Sequence, residues 1–164
     1  MDTLNAISKR ASVREYGSKE ILKDVLEKLV DAGRRAPSAR AVEPWEFIVI
    51  TDKNILNKLG LIATSGGFIK EAGACIVVYC QDTKYYLEDG SAATENILIA
   101  ASNLGLGACW VAGDKKPYAE EISSFLGVPK DYKLISLVSL GWSKSEAVQM
   151  KKRELNNVIH WEKF

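Results

Sequence analysis

Apolar residues recur at helical spacing at Ile21, Leu22, Val25, Leu26, Leu29 and Val30. That pattern predicts an amphipathic helix with one buried face. Ser18 is its candidate cap, and Pro37 marks its end, because the residue before a proline is pushed out of the helical region. A shorter helix precedes it, capped by Asp2 or Thr3 and running to about Lys9. Residues 47–50 and 74–79 are unbroken apolar runs of strand length. Between them, Asp52 opens a short helix carrying Ile55, Leu56, Leu59 and Leu61, and residues 64–67 form a glycine loop. Residues 91–104 read as a long helix lined with Ala92, Ala93, Ala100 and Ala101, whose small side chains allow close packing at the centre of a fold. Gly105 and Gly107 end it. A strand at 109–111, a helix at 117–126 closed by Gly127, and a strand at 134–140 follow. The tail, 143–164, is polar and irregular. Strands and helices interleave unevenly, which predicts an α+β fold with a sheet packed on the long helix.

The chain has 164 residues, 47% of them hydrophobic, enough for one domain with a sizeable core, so residues 1–164 are taken as a single unit. A net charge of +1 and basic runs no longer than Lys151-Lys152-Arg153 argue against a nucleic-acid binder. The three cysteines, Cys75, Cys80 and Cys109, are too few and odd for a secreted disulfide scaffold and lack a fourth ligand for an iron–sulfur cluster. His160 is the only histidine, which excludes a histidine triad or a multi-histidine metal site. The opening residues do not resemble a signal peptide, and the longest apolar stretch, 92–111, contains Glu95, Asn96, Ser102 and Asn103. A cytoplasmic protein without a membrane span or a metal is expected.

Four segments carry candidate chemistry. Arg10-Ala11-Ser12-Val13-Arg14 would set two guanidinium groups and a hydroxyl on one side of an extended backbone, and arginine grips phosphate through forked hydrogen bonds. Pro37-Ser38-Ala39-Arg40-Ala41-Val42-Glu43-Pro44-Trp45 is a proline-bounded connector leading into a strand. Leu104-Gly105-Leu106-Gly107 runs into Cys109-Trp110-Val111-Ala112-Gly113. Trp110 stands where a dinucleotide fingerprint needs its third glycine, and the segment follows a helix where the fingerprint opens one, so a Rossmann phosphate loop is rejected. The fourth segment is Lys151-Lys152-Arg153. Each segment by itself is also compatible with a surface turn, a connector or a charged tail.

Taken in order, the four segments resemble the FMN-dependent nitroreductase-like family. The resemblance spans essentially the whole chain. It implies a mostly antiparallel central sheet flanked by helices, and a homodimer with FMN at the interface. It also implies that the C-terminal tail extends onto the partner subunit. Arg10, Ser12, Lys151 and Arg153 would grip the flavin phosphate, and Arg14 would reach the pyrimidine side of the ring, where positive charge favours the reduced form. Pro37, Ser38 and Ala39 match a loop lying across the partner's flavin. The backbone at Ala112 and Gly113 matches the segment facing N5, the hydride-accepting atom, so no side chain is required as catalyst. The implied reaction is ping-pong: NADH or NADPH reduces the flavin, and an electrophilic acceptor such as a nitroaromatic or a quinone reoxidises it.

The sequence departs from the family at positions that would face the cofactor. Ala11 replaces a frequent second basic residue, and Ala41 and Glu43 stand where Asn and Gln are usual. Gly73 replaces a common proline, and Trp142-Ser143 a frequent Tyr-Pro. The chain is short for the family, which implies an open site, with Phe68 as either a partial lid or a core residue. The departures leave two other readings open: a flavin-binding redox sensor or carrier without efficient turnover, and a branch with a different substrate, such as reductive dehalogenation.

Overall fold

The computed structural model describes residues 2–164. Helix α1 (Thr3–Lys9) starts at Asp2, whose carboxylate accepts the Asn5 N–H at 2.9 Å and so satisfies one of the donors orphaned at every helix start. Helix α2 (Lys23–Arg34) begins later than the pattern predicts: Leu22 is its cap residue and contributes no side-chain bond, so Ser18 does not cap it. The preceding backbone is engaged elsewhere. The Gly17 N–H donates to the Trp142 carbonyl at 2.7 Å, and Trp142 Nε1 donates to the Glu20 carbonyl at 3.1 Å. Ile21 is still buried, while Leu22 is exposed.

Strand β1 (Trp45–Ile50) follows, then α3 (Lys53–Ile62), capped as expected by Asp52, which accepts the N–H groups of Asn54 and Ile55. Leu61 does not share its buried face. The glycine loop leads into a 3₁₀ turn, Gly67–Glu71. Strand β2 (Ala74–Gln81), helix α4 (Tyr86–Asn103), strand β3 (Gly107–Ala112), helix α5 (Ala119–Phe125) and strand β4 (Tyr132–Gly141) complete the order. Gly105 takes the positive φ of 77° that ends α4. Gly107 opens β3 and is not part of that cap.

The four strands lie in the order β1-β2-β4-β3, every pair antiparallel. β2 is central, and seven of its eight residues are buried. Its Ala74, Ile76, Val78 and Cys80 face a layer formed by α2 and α4, with Leu26, Leu29, Ala93, Ile97 and Ala101. Its Cys75, Val77 and Tyr79 face the other way, against Leu56 and Leu59 of α3 and Ile122 of α5. The sheet is therefore covered on both faces. The expected packing on one long helix describes only the α4 side, and α3 and α5 form a second layer. A strand buried on both faces reads as a continuous apolar run without alternation, as residues 74–79 do, and the two layers agree with the central antiparallel sheet flanked by helices that the resemblance implies. Among the described residues no helix is long and apolar enough to cross a membrane.

Candidate functional site

The segment after α1 runs extended along the outer edge of β3. Ser12 forms a parallel bridge with Ala108, and the Val13 N–H donates to the Ala108 carbonyl at 2.9 Å. Val13 is buried against Gly107, where an added Cβ would come within 2.7 Å of it. Ser12 and Arg14 flank it on the exposed side, as alternation along an extended chain requires. Arg10 is held at the α1 C-terminus, its side chain 22% exposed and 3.7 Å from the carboxylate of Glu95 on α4. The Arg14 guanidinium lies 5.7 Å from the centre of the Phe68 ring. Phe68 is half-buried and packs on Val13, Tyr16 and Ala72, so this face of the site rests on core. Burial raises the Cys109 thiol above its ordinary range, while the nearby Arg14, Ser12 and Arg10 pull it down. The Arg10–Arg14 segment thus lies along the outer edge of β3.

The tail returns to this edge. Ser143 bridges Tyr16, and Gln149 Nε2 donates to the Arg10 carbonyl at 3.0 Å. Lys151 lies two residues beyond that tether, at most about 7 Å of extended chain. The charges of Lys151 and Arg153 are turned to the tail itself, to the Glu154 carboxylate and the Asn157 carbonyl. Among the described residues no hydrogen bond or ion pair links them to Arg10 or Ser12. Ala11 lines a cleft with Arg10, Leu98, Ser102, Gly107 and Ser145.

At the far end of β3, the Gly113 N–H donates to the Ile135 carbonyl at 3.0 Å. It is not available to a ligand, and a Cβ there would lie 2.4 Å from Leu134 Cγ. The glycine therefore serves internal packing, and its backbone N–H, in the segment expected to face N5, is committed within the fold. Ala112 is exposed, and its carbonyl points away from β4 to accept the Tyr118 hydroxyl at 2.6 Å. Alternation along an edge strand turns its N–H outward as well. Tyr118 is also 3.1 Å from the Ser65 hydroxyl.

Pro37, Ser38, Ala39 and Ala41 lie in a separate loop. Residues Ala39–Ala41 form one 3₁₀ turn, with Arg40, Ala41 and Glu43 all at positive φ. The Ala39 N–H donates to the Asp89 carboxylate at 2.9 Å, and the Glu43 N–H to the Ser38 hydroxyl at 2.9 Å. Among the described residues no hydrogen bond or ion pair joins this loop to the Arg10–Arg14 segment of the same chain.

The model of the Nitroreductase family matches this sequence over residues 7–86 and 66–142, which take in the N-terminal segment, the loop and β3. The chain belongs to the Nitroreductase family. A relative from Archaeoglobus fulgidus, provisionally named an NADH dehydrogenase/NAD(P)H nitroreductase, is 37% identical over 153 residues, covering 88% of this chain and 87% of its own. A solved structure from Parabacteroides distasonis with the same provisional name superposes with a TM-score of 0.91 at 31% identity, covering 96% of each chain. An FMN-dependent nitroreductase from Clostridium difficile R20291 gives a TM-score of 0.91 at 31% identity, covering 98% of this chain and 99% of its own.

Within this nitroreductase fold the sequence pointed to the N-terminal segment but not to what holds it. Glu95, Gln149 and Phe68 support Arg10 and Arg14, Tyr118 supports Ala112, and Asp89 supports the loop. Glu95 was findable, an acidic residue in a helix otherwise marked by small side chains; Asp89 was not, because α4 starts at Tyr86, ahead of the expected start at residue 91. Gln149 and Tyr118 carry no local signal, because their partners are distant in sequence.

Proposed function

We propose that this nitroreductase-family chain is an FMN-dependent oxidoreductase. It takes hydride from NADH or NADPH and passes it to an electrophilic acceptor such as a nitroaromatic or a quinone, in ping-pong order. The observation that carries this is the placement of the segment bearing Arg10, Ser12 and Arg14 along one edge of β3, through the Ser12–Ala108 bridge and the Val13–Ala108 hydrogen bond. The donor set suits FMN: a phosphate dianion needs several cations and hydroxyl donors from different parts of a fold, and Gln149 tethers the Lys151–Arg153 tail beside Arg10. In this reading Arg10, Ser12, Lys151 and Arg153 hold the phosphate, the tail cations turning from Glu154 and Asn157 to do so. Arg14 faces the pyrimidine ring, and the outward N–H of Ala112, steadied by Tyr118, orients the ring at N5. The flavin supplies the hydride-accepting atom, and the chain supplies orientation and charge.

The working unit in this reading is a homodimer, with Pro37, Ser38, Ala39 and Ala41 reaching the partner's flavin and the tail lying across the partner. Two features support it. The loop makes no polar contact with the phosphate segment of its own chain, and Val158, Trp161 and Phe164 of the tail are exposed apolar side chains that need a surface to cover them.

The test is an absorbance spectrum of the purified protein, followed by anaerobic addition of NADH and then NADPH. A flavin band that bleaches and returns with a quinone is expected. Tight FMN that never bleaches would favour a flavin-binding sensor or carrier, and a chain that takes up no FMN would overturn the reading. Arg10→Ala should weaken FMN binding by tenfold to a hundredfold, the equivalent of roughly 1.5–3 kcal/mol for a charge-assisted bond.

A further inference from the structure

We propose that Asp89 is a positioning residue: it fixes the backbone of the loop from Ser38 to Glu43, and does so for the cofactor of the partner subunit. The first part stands on this chain alone, and the second rests on the function proposed above.

Asp89 lies in the first turn of α4 and is only 5% exposed. An ionised carboxylate taken out of water is costly unless something compensates it. No cation does so: among the described residues Asp89 takes part in no salt bridge. Nor does it cap its own helix: among the described residues the one hydrogen bond its carboxylate accepts comes from outside α4. Its hydrogen bond crosses to the Ala39 N–H at 2.9 Å, fifty positions away in sequence.

The loop at the other end of that bond is strained. Arg40, Ala41 and Glu43 have φ of 58°, 53° and 51°, in the left-handed region that L side chains avoid. Non-glycine residues stay there only where their surroundings over-determine the backbone. Two side chains do so here. Asp89 pins the start of the turn at Ala39, and the Ser38 hydroxyl pins its end by accepting the Glu43 N–H. The anchor is packed closely on the sheet: at Gly90, next to Asp89, an added Cβ would lie 2.6 Å from Ile135 Cγ1. The core therefore sets the position of an exposed, strained loop through one buried carboxylate. Asp89 acts as an acceptor, so an asparagine can replace it and an apolar isostere cannot.

Three variants test this. Asp89→Leu removes the acceptor, and Asp89→Asn keeps one oxygen. Ala39→Pro removes the donor at the first position of a 3₁₀ turn, where proline is tolerated, after Ser38, whose ψ of 149° suits the residue before a proline. Amide exchange of the flavin-free protein reads the positioning directly. The Ala39 and Glu43 amides should exchange at least about tenfold faster in Asp89→Leu and near the wild-type rate in Asp89→Asn, with protection of β2 unchanged. Equal exchange in wild type and Asp89→Leu overturns the positioning role. If Asp89→Leu does not fold, Ala39→Pro carries the same test at Glu43.

Mixed dimers read the second part. One subunit carries Arg10→Ala and the other Asp89→Leu, separated by two affinity tags. If the loop serves the partner, both defects fall in one site and the other site is intact, so the mixed dimer binds one FMN with wild-type affinity. If it binds none with wild-type affinity, the loop serves its own subunit and the cross-subunit role is overturned. A wild-type protein that takes up no FMN overturns the proposed function and leaves the exchange result standing.

Discussion

At the residue scale, Ala41 is a strained position of the loop. Its backbone φ is 53°, a conformation that Asn and Gly adopt more readily than Ala. Ala41→Gly should stabilise the protein by about 0.5–1 kcal/mol, the left-handed strain relieved less the entropy glycine adds to the unfolded chain. Urea unfolding checks this, and a loss of stability would mean that the alanine methyl shapes the loop. The thiols give a second prediction. Burial raises Cys75 and Cys80, the latter from 9.0 to about 12, with the Asp89 charge adding to it. An acid held neutral in the fold releases its proton more readily when unfolded, so the unfolded chain binds fewer protons and unfolding free energy falls as pH rises. The contribution is complete below pH 9 and is lost progressively from pH 9 to 12 for Cys80. Stability should drop by about 1.4 kcal/mol between pH 7 and 10 for this thiol alone. Comparison with Cys80→Ala at both pH values isolates its share, and an equal drop in the variant would assign the effect to other groups.

At the element scale, α4 organises the molecule. Ala93 and Ala101 are fully buried and let it lie close to the sheet, and Ile97 fills the space between it and α2. Its side chains tie it outward, among them Asn96 to the Ala32 carbonyl, Ser102 to the Ala6 carbonyl, Glu95 to Arg10 and Asp89 to the loop. Ile97→Ala should cost about 2–5 kcal/mol, since a buried side chain is removed from a packed interface. A loss below 1 kcal/mol in denaturant melts would show that the α2–α4 contact collapses to fill the gap. The elements themselves were legible to within a few residues. Asp2 and Asp52 announced α1 and α3, and the apolar runs announced β1, β2 and β4. The misplaced start of α2 has a physical reason. Ile21 is buried like a helical core residue, but the backbone around it is bonded to Trp142, and nothing local records that pairing.

At the scale of the whole molecule, one chain leaves its surface incomplete. Trp161 and Phe164 are 79% and 107% exposed, β1 has a free edge, and a groove lined by Lys23, Glu27, Val49 and Thr51 runs along it. The proposed homodimer would cover apolar surface of this kind. Sedimentation over a dilution series should show a dimer that persists to nanomolar concentration and keeps its flavin. A flavin-loaded monomer at that dilution would refute the shared site. Removal of residues 155–164 should shift the dimer to easier dissociation.

The sequence by itself determined the element order, because hydrophobic period and capping chemistry are local properties. It determined the family too, through four ordered segments. The reach of Arg10, Ser12 and Arg14 toward β3 was half determined: alternation put them on one side of the chain, but only the Ser12–Ala108 bridge decided which strand they line. Tertiary structure alone decided the rest. It committed the Gly113 N–H to Ile135 and brought Asp89 under the loop fifty residues before it. These are pairings between residues far apart in sequence, fixed by which faces pack together, and no window of neighbouring residues contains that information.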